Sequence, residues 1–329
     1  MKLRAATKEL LYGAAHVAGF SRFARSRLAE TLTVLTYHSF DDGDAHPYLF
    51  RMPVSRLEEQ VTYLRSAFEI VDLEDGVNRM TGTQTDSQGG STGRPMLAIT
   101  VDDGYGDNHT ALVSLARRSQ LPVTVFLATD YLDTGRLPWP TRISSVLHFA
   151  SVDELDAPYS LPLRTEAERI RAGQVLRQKL SCLDHGDRDH AIAEIEQMVR
   201  PEGLQTLKPL TWDQVRDMRD AGIRFGAHTR YHGWLDRVSA TDLEEELGPS
   251  KARIEAETDM VCRSLAYPNG NWNASIVAAA KTAGFSHAVT QDGGRNVSQS
   301  MDPFAVHRIE VPYNERIGTF ACRISGMAF

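Results

Sequence analysis

Two adjacent carboxylates, Asp102 and Asp103, stand at the end of the apolar run from Leu97 to Val101 and are followed at once by Gly104 and Gly106. The run reads as a short buried strand, the glycines as its exit turn, and residues 108–119 as a helix beyond it. Side chains alternate along a strand, so the two carboxylates share a direction only if the chain has already turned. Neighbours that diverge can hold different tasks: one binds a divalent ion, and the other accepts a proton from the water that the ion activates. An acidic turn alone is common and carries little weight. The stretch from Ile223 to His232 adds to it, because a second apolar run ends there in His228 and His232, four residues apart. If the chain turns helically after that strand, the imidazoles share a face, and with one carboxylate they offer three N/O ligands and leave coordination positions open.

A third stretch, Leu265-Ala266-Tyr267-Pro268-Asn269-Gly270, is a strand that runs into a tight turn. Taken with Thr100-Val101-Asp102-Asp103-Gly104 and His228-Thr229-x-x-His232, it resembles the polysaccharide deacetylase family, the carbohydrate esterases with a NodB-homology domain. The likeness covers most of residues 34–311. It implies that Asp102 is the base and that Asp103, His228 and His232 hold one divalent metal ion, with zinc the expected one. The reaction implied is hydrolysis of the N-acetyl group of an amino sugar, in a polysaccharide or its lipid-linked precursor. The Tyr267-Pro268-Asn269 turn would help hold the oxyanion, and since proline has no N–H, Asn269 is the expected donor.

The chain also departs from the family pattern. Ala266 stands where many relatives carry an arginine that orients the base, and Ala305-Val306-His307 only approximates the Leu-x-His acid motif. Near the N-terminus, the strand from Leu32 to His38 ends in a Tyr-His pair, which in the most similar branch of the family lies beside the metal. His38 therefore ranks ahead of His307 as the general acid, a role that suits an imidazole titrating near neutrality. Arg308 is read either as electrostatic support for the site or as an ordinary salt bridge.

The elements that must position these residues alternate along the chain. Strands are expected near residues 32–38, 68–71, 97–101, 123–127, 223–232, 263–267, 286–290 and 305–311, with amphipathic helices between them. Seven or eight such units, without a GxGxxG turn, predict an α/β fold: a distorted, incomplete (β/α) barrel of about seven strands, which is also the family's fold. Residues 131–210 are too many for a simple connection, and their helical patterns at 166–180 and 187–199 predict an inserted helical segment. Trp139 and Pro140, near its start, either line a groove or pack the insert onto the barrel. His185, Asp187, Asp189 and His190 read as a solvated helix start rather than a metal site. Residues 241–257 predict a helix interrupted near Gly248-Pro249. The polar stretch 81–94 reads as a loop without chemistry.

Composition bounds the partners. A net charge of −7 over 329 residues excludes a general nucleic-acid binder, which needs a basic phosphate-tracking surface. Three widely spaced cysteines, Cys182, Cys262 and Cys322, give neither a disulfide framework nor a cysteine metal site. Residues 1–30 read as a basic amphipathic leader helix and residues 31–329 as the deacetylase domain. Leu10, Leu11, Ala14, Val17 and Ala18 share one side of that helix, which either packs on its own domain or makes peripheral contact with a membrane. Without a convincing export signal, a cytoplasmic, membrane-associated setting is expected. Two rival readings share the fold: a catalytically inactive glycan-binding protein, and a hydrolase of non-sugar amides. Phosphoryl transfer is disfavoured, because Asp102-Asp103-Gly104 lacks the Asp-x-Asp spacing that chemistry uses.

Overall fold

The Thr31–Tyr37 strand is buried along its whole length, and its neighbours are nearly as apolar, as strands covered on both faces must be. In the computed structural model, which describes residues 2–25, 28, 30–41, 51–83, 93–202 and 207–327, it belongs to a curled sheet. The sheet runs in the order His287–Val289, Ser264–Ala266, Arg224–Ala227, Thr124–Leu127, Met96–Val101, Thr31–Tyr37 and Asn296–Val297. Every pairing along this path is parallel except the last, where Asn296–Val297 meets Leu32 and Thr31 antiparallel. The final stretch crosses between the sheet's two sides: Val306 bridges Val289, and Ile309–Glu310 pairs with Leu35 and Thr36. The result is the expected distorted, incomplete (β/α) barrel. Parallel register brings the C-terminal ends of the strands to one rim, where residues 38, 102, 103 and 228 emerge.

Helices follow the strands and cover the sheet. Their buried faces join one apolar cluster that includes Leu57, Leu64, Leu112, Met218 and Leu247. A second cluster, with Trp139, Ile143, Leu147, Leu176 and Ile192, sits among the Trp139–His148, Glu166–Leu180 and His185–Val199 helices. Asp184 caps the last of these by accepting from the Asp187 N–H at 2.8 Å, in line with the solvated-start reading. The Ala240–Thr258 helix is continuous and contains Pro249, where an interruption was expected. Burial of Leu247, Ser250 and Ile254 on either side of the proline holds the helix through it.

The Lys2–Val17 helix packs on Ile317–Ile324, where Gly13 and Gly318 allow close approach and Tyr12 is buried. Its continuation, Phe20–Arg25, borders a cavity with Leu28, Arg295 and Gly326, at the end of the Thr31–Tyr37 strand away from the rim. Among the described residues no helix is long and apolar enough to cross a membrane. Cys182, Cys262 and Cys322 are all free. Most of the polar loop expected at 81–94 lies outside the described residues.

Candidate active site and metal centre

Asp102 and Asp103 diverge because the backbone turns between them. Asp102 still donates its N–H to Tyr37 O at 2.9 Å, whereas Asp103 and Gly104 adopt positive φ (75° and 68°). The Asp103 carboxylate thereby swings toward the histidines. His228 and His232 meet it through a tight turn and not the expected helical one, with Thr229 and His232 at φ 65° and 54°. Buried Glu246 clamps that turn, accepting from the N–H groups of Tyr231 (2.8 Å) and Gly233 (3.0 Å). Trp139 donates its indole N–H to His232 O at 2.9 Å and is 1% exposed, so it packs under the turn and does not face the groove.

The three side chains form a cluster whose potential donor atoms lie within 4.8 Å of one another. His228 Nδ1 is 2.9 Å from Ala266 O, which fixes its proton there and turns Nε2 inward. Nε2 of His228 and of His232 lie 3.5 and 3.2 Å from Asp103 Oδ1. That oxygen is buried without a hydrogen-bond donor among the described residues. A buried carboxylate oxygen left unsatisfied between two imidazole nitrogens is costly unless a cation completes it, so these residues fit a divalent ion, and two N donors with one O suit zinc. Burial alone pushes the Asp103 pKa up, but the facing His232, His38 and His228 hold it below the usual carboxylate range. Burial pushes His228 down to about 4, which keeps its imidazole neutral as a ligand must be.

Asp102 is fully buried and has a different partner. Both its oxygens accept from Arg308, at 2.7 Å each, in a bidentate pair, and Arg308 Nε donates to Thr290 O. Burial raises the Asp102 pKa, yet Arg308 and then His228 outweigh it and lower the value overall. Arg308 thus occupies the place by the aspartate that Ala266 leaves vacant in sequence. Of the two roles weighed for it, the geometry shows the one beside the site. The signal in the sequence was its place in the strand-like stretch from Ala305 to Val311, which it shares with His307 and Glu310.

Around the cluster opens a cleft of about 660 Å³, lined among others by His38, Tyr105, Asn269 and Glu310. His38 is held through its carbonyl, which accepts from Asn108 Nδ2 at 2.8 Å. His307 is not among the described lining residues; its Nδ1 lies 2.7 Å from Asp292 Oδ1. In the third motif Tyr267 is buried, its N–H donates to Val289 O and its hydroxyl to Phe304 O. Pro268 is buried as well, while Asn269 sits at φ 59° and faces the cleft. Glu246 and Asn108 escaped sequence reading because each acts on backbone groups distant in the chain.

Residues 89–288 match the model of the polysaccharide deacetylase family. The chain belongs to that family. Among curated proteins, the chain is 26% identical over 118 residues to YxkH of Bacillus subtilis (strain 168), which carries a polysaccharide deacetylase name. That alignment covers 36% of this chain and 42% of YxkH, less than half of the relative's length. Among solved structures, the deacetylase PplD of Streptococcus pyogenes, in complex with acetate, superposes with a TM-score of 0.57 at 14% identity, covering 86% of this chain and 93% of PplD. IcaB from Ammonifex degensii gives 0.57 at 15% identity, with 90% and 98% covered. At such identities these structures speak to the fold.

Proposed function

We propose that the chain is a metal-dependent hydrolase that removes the acetyl group from an N-acetylated amino sugar, within a polysaccharide or a lipid-linked precursor. The observation that carries this reading is Asp103 Oδ1, buried and unsatisfied between two imidazole Nε2 atoms at the strand-end rim. Asp103, His228 and His232 would hold one divalent ion, zinc by its donor set, which supplies Lewis acidity toward the amide carbonyl and the attacking water. Asp102, kept ionised by Arg308 and 3.9 Å from His228 Nε2, accepts the proton of that water. The Asn269 N–H is the motif's remaining donor for the oxyanion, since Pro268 has none and that of Tyr267 is spent on Val289 O. His38, on the cleft wall, donates a proton to the leaving nitrogen. The C–N bond breaks, giving acetate and the free amine of the sugar.

The test combines metal analysis with acetate release from N-acetylglucosamine oligomers. Purified protein is expected to carry about one ion per chain, reduced in His228→Ala and His232→Ala. EDTA should slow acetate release by ~100-fold or more, with recovery on adding zinc. Release that survives both EDTA and the two alanine variants overturns the proposal. Glycan binding without release by the zinc-loaded chain would instead leave a binding protein.

The N-terminal helices support a second element of the reading, peripheral contact with a membrane surface. Of the eight large apolar side chains exposed among the described residues, Leu11, Val17, Phe20 and Phe23 fall within thirteen residues there. Residues 1–27 hold six lysines or arginines against Glu9 alone, in a chain of net charge −7. Apolar side chains among basic ones suit an anionic bilayer.

A further inference from the structure

The cleft extends beyond the aspartate and histidines onto a wall made by the Trp139–His148 and Glu166–Leu180 helices. Gln174, Arg177 and Gln178 lie there at i, i+3 and i+4 of one helix and so share one face. Arg177 is the one lysine or arginine among the described lining residues. It is partly buried, and its Nη1 donates to Ser144 Oγ at 2.8 Å. No carboxylate comes within ion-pair distance of it among the described residues, although acids are close at hand in the same lobe. Glu196 and Asp189 are instead engaged by Arg142. Burial lowers the Arg177 pKa, and no acidic neighbour offsets that. Behind this face Arg237, which donates to Gln178 O and Oε1 and lies 4.7 Å over the Trp234 ring, also lacks a carboxylate partner among the described residues. One guanidinium without a carboxylate partner among the described residues thus borders the open cleft, beside neutral amide and hydroxyl groups, with a second behind it.

We propose that Arg177, with Gln174 and Gln178, forms a subsite that takes an oxyanion borne by the N-acetylated glycan. A guanidinium fork matches carboxylate and phosphate oxygens, and an incoming anion would compensate a charge the fold has left unpaired. The inference rests on the deacetylase reading and narrows its substrate to an acidic glycan. The oxyanion is either a uronate within the chain or the diphosphate of a linked precursor.

The experiment measures kcat and KM for the zinc-loaded wild type, Arg177→Gln and Arg177→Lys. The substrates are a neutral N-acetylglucosamine oligomer, an oligomer of equal length alternating with glucuronate, and uridine-diphosphate-linked N-acetylglucosamine. In Arg177→Gln, the ratio of kcat/KM on one anionic substrate to that on the neutral oligomer should fall roughly 10–100-fold, mainly through KM. Arg177→Lys should recover part of the loss, because charge remains while the fork does not. Whichever anionic substrate responds identifies the source of the oxyanion. A ratio unchanged for both overturns the subsite. If the wild type releases no acetate from any substrate, the deacetylase reading fails on its own. Calorimetric binding of the two anionic compounds in EDTA then decides the subsite: salt-sensitive binding lost in Arg177→Gln supports it, and absent or equal binding sinks it. Matching thermal midpoints of the variants confirm intact folding.

Discussion

At the scale of single residues, the arrangement turns on which carboxylate has which partner. Asp103 faces nitrogen atoms across a gap, whereas Asp102 is locked to Arg308. The guanidinium overcomes the upward push of burial on the Asp102 pKa, so removing it lets burial act alone. In Arg308→Gln the carboxylate should protonate at higher pH, and the acid limb of the kcat/KM profile for acetate release should move upward. An unmoved limb would show that Asp102 is not the titrating base. Since the change strands a buried charge, a stability loss of about 3–5 kcal/mol by urea denaturation is expected as well. The aspartates and histidines were legible because each motif is contiguous and ends a strand. Arg308 was legible only as one of two roles, and its pairing with Asp102 was not, because it lies 206 residues from Asp102 and only the closing of the sheet joins them.

Among the elements, central strands such as Met96–Val101 and Thr124–Leu127 were legible within a residue or two, since continuous apolar runs between turn residues admit few other readings, whereas the strand expected at 305–311 is formed only at Ile309–Glu310. Geometry between elements was less so. The spacing of His228 and His232 suits a helical turn, yet Glu246 and Trp139 impose another through backbone contacts that no local pattern encodes. The Arg224–Ala227 strand shows how tightly the histidine segment is held. A Cβ on Gly226 would come within 2.6 Å of Phe126 Cδ1 and 3.0 Å of Ser264 O, and the Phe126 ring is fully buried. Gly226→Ala should therefore cost about 1–3 kcal/mol and, by shifting the strand, weaken retention of the proposed metal. Equilibrium denaturation with metal analysis checks both. A variant with unchanged stability and metal content would mean that Phe126 yields freely.

For the molecule as a whole, barrel class and extra helices were readable from the alternation and length of segments. The sequence left open which side of the N-terminal helix meets the protein. Tyr12 and Gly13 settle the inward side, and Leu11, Val17, Phe20 and Phe23 are left outside. Wild type should sediment with phosphatidylglycerol vesicles more than with phosphatidylcholine vesicles, less so in high salt, and Phe20→Ser/Phe23→Ser should lose most of that binding. Equal recovery of the chain with and without vesicles would dismiss the contact. The crossing of residues 306–310 between the two sides of the sheet has its own consequence. Until that segment is in place, the buried Asp102 carboxylate lacks the guanidinium that pairs with it. Closing the sheet and balancing the charge of its buried carboxylate are then one event, so a chain cut short of residue 306 should show both faults together.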